Sequence, residues 1–240
     1  MADSDAIVIA VPKGRALEPL ARRFTAAGLD GAALLADDRR LVREESVHGV
    51  RFLLLKPGDV PTYVEYGVAD LGIVGRDVLL EREYDVYVPF DLRIGVCRMV
   101  VAGLSDSPPP TQGVLRVATK YPTIAMRHFL ARGRQVDVIY VQGSVELAPV
   151  VGLADVIVDL VETGETLRRN GLVELERVCD ISTVIVANRV GLKLKRRLIA
   201  PLLEKLGAAS GRSNSSRSAV ETSARPRRSR ASGGRRARSG

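Results

Sequence analysis

Short apolar, β-branched runs recur along the first two hundred residues, and between them lie segments whose apolar positions fall three and four apart. A chain with that alternation is restricted to few architectures. Runs such as "AIVIAV" (6–11), "DLGIVG" (70–75) and "ADVIVDL" (154–160) carry too few polar positions to leave one face in water, so each strand has to be covered on both sides by helices. The segment after "PKG" places Leu17, Leu20, Ala21, Phe24 and Ala27 on one helical face, with Gly28 in the C-terminal position. "RFLLLK" (51–56) predicts a second strand, and a short helix is expected from Asp59, a candidate cap, with Pro61 in its first turn. This is β-α-β-α-β logic.

The pattern then repeats. "YDVYVPF" and "RIGVCRMVVAG" read as strands, and "LSDSPPPTQG" (104–113) is a proline-rich surface loop. A second unit follows: strand "LRVATK" (115–120), a helix through "TIAMRHFLARG", strand "VDVIYV" (136–141), a short helix from Ser144, and "ADVIVDL". The chain continues through "ELERVCDISTVIVANR" to a helix over 190–206. The expected fold is α/β, with two lobes of mainly parallel sheet, flanking helices and a cleft between them. Residues 1–95 with 180–206 form lobe I, 96–179 form lobe II, and "TVIVANR" brings the chain back to lobe I. A cleft between lobes is the usual place for a ligand.

Charge separates the tail from the rest. Residues 207–240 contain nine Arg and one Glu, so the net charge of +8 resides there, while residues 1–206 balance 27 basic against 27 acidic side chains. A segment of Ser, Gly, Ala and Arg buries too little apolar surface to offset its ordering entropy, and disorder is expected for it. Nine arginines favour weak, salt-sensitive contact with polyanions, but the tail has no aromatic residue to stack on bases, so nucleic acid is not the expected partner. No apolar stretch reaches the roughly 20 residues that span a bilayer, and the start "MADSDAIVIAV" is acidic where a secretory leader is basic. A cytoplasmic location and no membrane partner are expected. Cys97 and Cys179 have no CxxC or Cys/His spacing around them and read as buried free thiols.

The segment richest in chemical groups is "DLVETGETL" (159–167). Asp159 falls at the carboxyl end of a strand, where open α/β sheets bind ligands. Thr163, Gly164, Glu165 and Thr166 form the turn into a helix, and amides in such a turn converge on a concavity suited to phosphate. The hydroxyls add donors, and Asp159 is placed to accept from the vicinal hydroxyls of a ribose. The same residues also fit a simple capped helix start, with Thr163 or Asp159 satisfying orphan amides. Both readings stand on the residues alone.

A longer pattern favours the first. Glu146, Gly152, Ala154, Ile157, Asp159, Leu160, Thr163, Gly164, Thr166 and Leu167 resemble, position by position, the signature of the ATP phosphoribosyltransferase family, the first enzymes of histidine biosynthesis. "PKGR" (12–15), "DVPTYVEYGVADLGIVGRDVL" (59–79) and "VATKYP" (117–122) are similar to the same family, so the resemblance spans about residues 6–206. It implies a fold similar to type II periplasmic-binding proteins. It also implies a magnesium-dependent reaction in which N1 of the adenine of ATP attacks C1 of 5-phosphoribosyl 1-pyrophosphate and pyrophosphate leaves with inversion. With only the tail beyond Leu206, the resemblance is to the short form of the family, whose catalytic chains pair with a regulatory subunit similar to histidyl-tRNA synthetase in a hetero-octamer.

Carried over, Glu162 to Thr166 cradle the 5-phosphate, and Asp159 and Glu146 face the ribose. Cations for the polyphosphates come from Lys13 and Arg15, which flank Gly14 between a strand and a helix, and from Arg39, Arg40, Lys56 and Lys120. Lys56 stands where the family pattern carries Arg, which replaces a bidentate grip by a point charge. Tyr121 fits either a ring that stacks on adenine or a partly buried ring that packs within its own lobe. Pyrophosphate is already a good leaving group, so no covalent nucleophile is required, and no Ser-His-Asp or Cys-His arrangement is evident, with His48 and His128 away from these segments. Mg2+ is expected on the substrate phosphates, with no protein ligand assigned. Two other classes fit parts of the chain: a solute-binding protein with the same two-lobed plan, and a nucleic-acid binder driven by the tail.

Overall fold

The computed structural model describes residues 6–36, 39–45 and 48–208. The expectation of disorder over 207–240 falls almost wholly outside these. In chain order the elements are β1 (Ile7–Pro12), α1 (Leu17–Ala26), a 3-10 turn (Gly31–Leu35), β2 (Val42–Glu45), β3 (Val50–Leu55), a 3-10 turn (Pro57–Asp59), α2 (Val60–Glu65), β4 (Leu71–Gly75), α3 (Arg76–Glu81) and β5 (Tyr87–Asp91). There follow β6 (Cys97–Leu104), β7 (Leu115–Thr119), α4 (Pro122–Leu130), β8 (Val136–Tyr140), α5 (Leu147–Val150), β9 (Val156–Val161), α6 (Glu165–Arg169), β10 (Leu172–Ile181), β11 (Thr183–Ala187), α7 (Arg189–Leu194) and α8 (Arg196–Ala208).

Two sheets result, ordered β2-β3-β1-β4-β11-β5 and β10-β6-β9-β7-β8. The chain passes from the first to the second between β5 and β6 and returns at Ser182. Each sheet has a parallel centre: β1 pairs in parallel with β3 and β4, and β7 with β8 and β9. The remaining pairs are antiparallel, so the sheets are mixed, where the sequence predicts mainly parallel ones. Direction is the reason: an uninterrupted apolar run shows burial, not which way its neighbours run.

Burial follows from the strand alternation. Ile9 and Val11 point to one face of the first sheet, against Leu20 and Phe24 of α1 and Ile199 and Leu202 of α8. Ala10 points to the other, against Val60 and Val64 of α2. Phe24 meets Phe52 edge to face with ring centroids 5.4 Å apart. In the second sheet Val117, Val156 and Val158 pack on Ile124 and Phe129 of α4, and Ala118 and Ile157 pack with Ala148 and Leu167.

Four local differences have physical causes. β2 is an edge strand of sequence VREE, too polar and too short to show a period. Asp59 occupies the N-cap position of α2 without a side-chain cap bond, because a 3-10 turn runs straight into the helix. The helix expected over 190–206 breaks at Lys195, whose Nζ donates to Asp70 Oδ2 at 2.9 Å and to the Ala6 carbonyl at 2.8 Å. Cys97 and Cys179 are free, as expected, but only half-buried. Among the described residues no helix is long and apolar enough to cross a membrane.

Gly72 marks how closely α2 and β11 approach β4. A Cβ there would lie 2.6 Å from Val64, 2.9 Å from Val60 and 3.0 Å from Val186. Gly72→Ala is therefore expected to destabilise the chain by about 1–3 kcal/mol through overpacking, read as a lower urea midpoint with an unchanged slope.

Candidate active site

Asp159 is held by a strand that is buried and paired on both sides. Val156, Ile157 and Val158 of β9 are all buried, and Asp159 is half-buried just beyond them, its Oδ1 accepting from the Leu160 N–H at 2.8 Å. Burial pushes its carboxyl above the ordinary range, and the neighbouring Glu146 adds to that, while the Leu160 N–H and Lys120 oppose it. Lys120 is close because the parallel register pairs Thr119 with Val158, so the next residues of β7 and β9 emerge side by side. Glu146 is half-buried and stands at the N-cap position of α5.

The loop beyond β9 is open. Glu162, Thr163, Glu165 and Thr166 are exposed, and Gly164 adopts φ +76°, a left-handed conformation that suits glycine, as the N-cap of α6. Thr163 Oγ1 accepts from the Glu165 N–H at 3.3 Å, a local turn bond, and Asp159 turns its Oδ1 to the neighbouring Leu160 N–H, while α6 starts at Gly164 without a side-chain cap bond. Two guanidinium groups that sequence reasoning missed brace the loop: Arg98 of β6 donates to the Glu162 carbonyl at 3.2 Å, and Arg168 to that of Thr163 at 3.3 Å. Arg98 is also paired with Glu174 at 2.8 Å. A lone arginine inside the apolar run "VCRMVV" was the available signal.

At the first sheet, register gathers the predicted cations on one edge. Pro12 pairs with Leu55, which brings Lys13 and Lys56 out together, and the Lys13 N–H donates to the Leu55 carbonyl at 2.8 Å. Gly14, at φ +104°, and Arg15 turn the chain into α1. Val42 pairs with Leu53, so Arg39 and Arg40 reach the same edge from β2. Lys13, Arg15, Arg39, Arg40, Lys56 and Lys120 are all exposed. A cavity of about 330 Å3 lies against β2, lined by Ala33, Ala36, Arg40, Val42, Arg43 and Glu44, and of these cations only Arg40 borders it.

Tyr121 is placed differently from the reading as an adenine platform. It is 6 % exposed and packs in the core beneath α4, and its hydroxyl donates to Asp77 Oδ2 of α3 at 3.0 Å, across the two sheets. Burial and then the Asp77 charge raise its phenol further, so it stays a donor. This contact brings the carboxyl end of β4 against the carboxyl end of β7. Cys97 belongs to the same neighbourhood: burial raises its thiol, and the Asp77 and Glu162 carboxylates add to the shift. Among the described residues no group of three or more His, Cys, Asp or Glu side chains converges as a metal cage.

Two mixed sheets with flanking helices, each carrying ionic residues where its parallel strands end, make a two-lobed α/β fold. The periplasmic aliphatic sulphonate binding protein SsuA from Escherichia coli superposes with a TM-score of 0.54 at 16 % identity, over 86 % of this chain and 73 % of that one, which shows the fold alone. The family is shown by closer comparisons. The model of the HisG: ATP phosphoribosyltransferase family matches residues 56–208. The ATP phosphoribosyltransferase of Sorangium cellulosum is 55 % identical over 203 residues, covering 85 % of this chain and 95 % of that one, and that of Geobacter metallireducens is 48 % identical over 207 residues, covering 85 % and 98 %. The ATP phosphoribosyl transferase (HisG:HisZ) complex from Thermotoga maritima superposes with a TM-score of 0.74 at 37 % identity, over 85 % of this chain and 98 % of that one. The chain belongs to the ATP phosphoribosyltransferase family, which consists of pentosyltransferases.

The environment of Asp159 predicts a stability effect. A carboxylate with a raised folded-state pKa stabilises the fold least when ionised: its contribution is present below the ordinary carboxyl pKa of about 3.9 and lost as pH rises through the folded value. Asp159→Asn is therefore expected to raise the melting temperature of the ligand-free chain at pH 7, and the gain is expected to vanish near pH 4. An equal change at both pH values would contradict the burial of the charge.

Proposed function

We propose that the carboxyl edge of the second sheet binds 5-phosphoribosyl 1-pyrophosphate and that the cationic edge of the first binds ATP. The observation that carries this reading is the arrangement along the last residues of β9 and beyond it: a half-buried Asp159 beside Lys120 and Glu146, followed by a left-handed glycine opening a helix. The amides and hydroxyls of residues 162–166 take the 5-phosphate, with Arg98 and Arg168 holding the loop's carbonyls outward from it. Asp159 and Glu146 accept from the ribose hydroxyls, and partial desolvation strengthens those bonds. Lys13 and Arg15, with Gly14 between them, take the triphosphate, assisted by Arg39, Lys56 and Lys120. Tyr121 serves through its hydroxyl contact.

Chemistry then requires placement more than a nucleophile. Adenine N1 carries a lone pair and attacks C1 as the bond to pyrophosphate breaks, and positive charge develops on the ribose ring near Asp159. Cations on the opposite edge stabilise the charge gathering on the leaving group. Mg2+ arriving on the substrate phosphates supplies further neutralisation there. The nucleotide and sugar diphosphate substrates favour a cytoplasmic enzyme. The aligned HisG:HisZ complex supports a HisZ-like regulatory partner, and the family resemblance supports a hetero-octamer of the two. The lobes are taken as residues 1–95 with 180–206, and 96–179.

The test is pyrophosphate release from the purified chain with ATP, Mg2+ and 5-phosphoribosyl 1-pyrophosphate, alone and with a regulatory subunit. Turnover that requires both substrates is expected, with Asp159→Asn and the Thr163→Ala/Thr166→Ala pair each lowering it by about a hundredfold. No turnover and no binding of the sugar diphosphate would return the chain to the solute-binding reading.

A further inference from the structure

Helix α3 of the first lobe carries two carboxylates one turn apart, Asp77 and Glu81, and both are directed at the second lobe. Glu81 accepts from the Thr123 N–H at 2.9 Å and from the Ile124 N–H at 3.1 Å. Those are first-turn amides of α4, which have no partner within their own helix. The N-cap residue of α4, Tyr121, makes no side-chain cap bond, so the cap comes from more than forty residues away. A serine or aspartate at the N-cap would serve the helix equally well. What the remote carboxylate adds is a tie between lobes, strengthened by its position at the positive end of the α4 dipole.

Asp77 makes the second tie, through Oδ2 to the Tyr121 hydroxyl at 3.0 Å. Its other oxygen folds over Gly75, where a Cβ would lie 2.1 Å from Oδ1, so the glycine makes room for this rotamer. Behind Tyr121 the connection continues inward: its N–H donates to Thr119 Oγ1 at 2.9 Å, and that hydroxyl donates to the Val158 carbonyl at 2.6 Å. Val158 immediately precedes Asp159. Arg127 adds an exposed contact to Glu83 at 3.2 Å, of the kind that contributes little.

We propose that Asp77 and Glu81 are positioning residues, which lock α3 to Tyr121 and to the N-terminus of α4 and so hold the cationic edge of lobe I in register with Asp159 for the transfer step. The clause about transfer rests on the proposed function; the locking of the lobes does not. In that reading most ground-state contacts to each substrate come from one lobe, with Lys120 and the lobe I cations reaching across, so loosening the lock costs more in the alignment of N1 with C1 than in either affinity.

The experiment uses the full chain and the variants Glu81→Ala, Glu81→Gln, Tyr121→Phe, Asp77→Ala and the Asp77→Ala/Tyr121→Phe double. Glu81→Ala and Tyr121→Phe are expected to lower kcat about tenfold, with KM for each substrate within about twofold. Glu81→Gln, whose single amide oxygen can replace only one of the two carboxylate oxygens that accept from Thr123 and Ile124, is expected to recover part of the loss. The double should be no worse than the poorer single, because both remove one bond. Small-angle scattering of the substrate-free chains should show a larger radius of gyration for Glu81→Ala and Asp77→Ala, and Glu81→Ala should also lower the melting temperature by a few degrees because α4 loses its cap. Unchanged kcat, a rise in KM alone, additive losses in the double, or an unchanged radius would overturn the proposal. If the wild-type chain releases no pyrophosphate, the scattering comparison alone decides whether the lobes are locked.

Discussion

Everything in this chain is arranged around where parallel strands end. In the centre of each sheet, three parallel strands release the backbone at one edge, β3-β1-β4 in the first and β8-β7-β9 in the second. At such an edge the chain must turn and enter a covering helix, which leaves helix N-termini and short polar turns facing outward. The Asp77–Tyr121 bond brings the two edges together. The antiparallel strands contributed by the crossings complete the sheets, and β6 adds Arg98 beside the loop at the second edge. They also pin the crossings: the Leu92 N–H donates to the Thr183 carbonyl at 2.9 Å, and the Thr183 N–H donates to that of Ile94 at 3.0 Å.

The same constraint separates what is rigid from what is exposed. Asp159 inherits its position from three consecutive buried residues, and its half-burial makes it an unfavourable ion without a ligand. The loop from Glu162 to Thr166 and the cations of the first sheet are largely in water, where long side chains can change rotamer with little reorganisation of the fold. Under the proposed function, precise placement falls to the ribose, whose C1 must be met in line, and adaptable charge to the phosphates.

Legibility in the sequence follows from range. The strands and helices around Leu20, Val117 or Ile157 were readable because each carries its own apolar period, and the Asp159–Thr166 segment because its chemistry is contiguous. The edge strand VREE and the break at Lys195 were not, since both depend on partners far along the chain. Arg98 and Arg168 were missed for the same reason: their contacts are with carbonyls of a loop reached by strand pairing. Tyr121 shows the converse, an aromatic beside a motif whose ring is spent in the core and whose hydroxyl is the useful group. Relative strand direction was invisible throughout, which is why mixed sheets were read as mainly parallel.

The division of labour between the two edges can be tested most directly by backbone amide hydrogen exchange with and without 5-phosphoribosyl 1-pyrophosphate and Mg2+, in the absence of ATP. Slowed exchange concentrated in residues 162–168, with the turn at Lys13–Arg15 protected only after ATP is added, is the predicted result. Protection of the first edge by the sugar diphosphate, with residues 162–168 unchanged, would contradict the account.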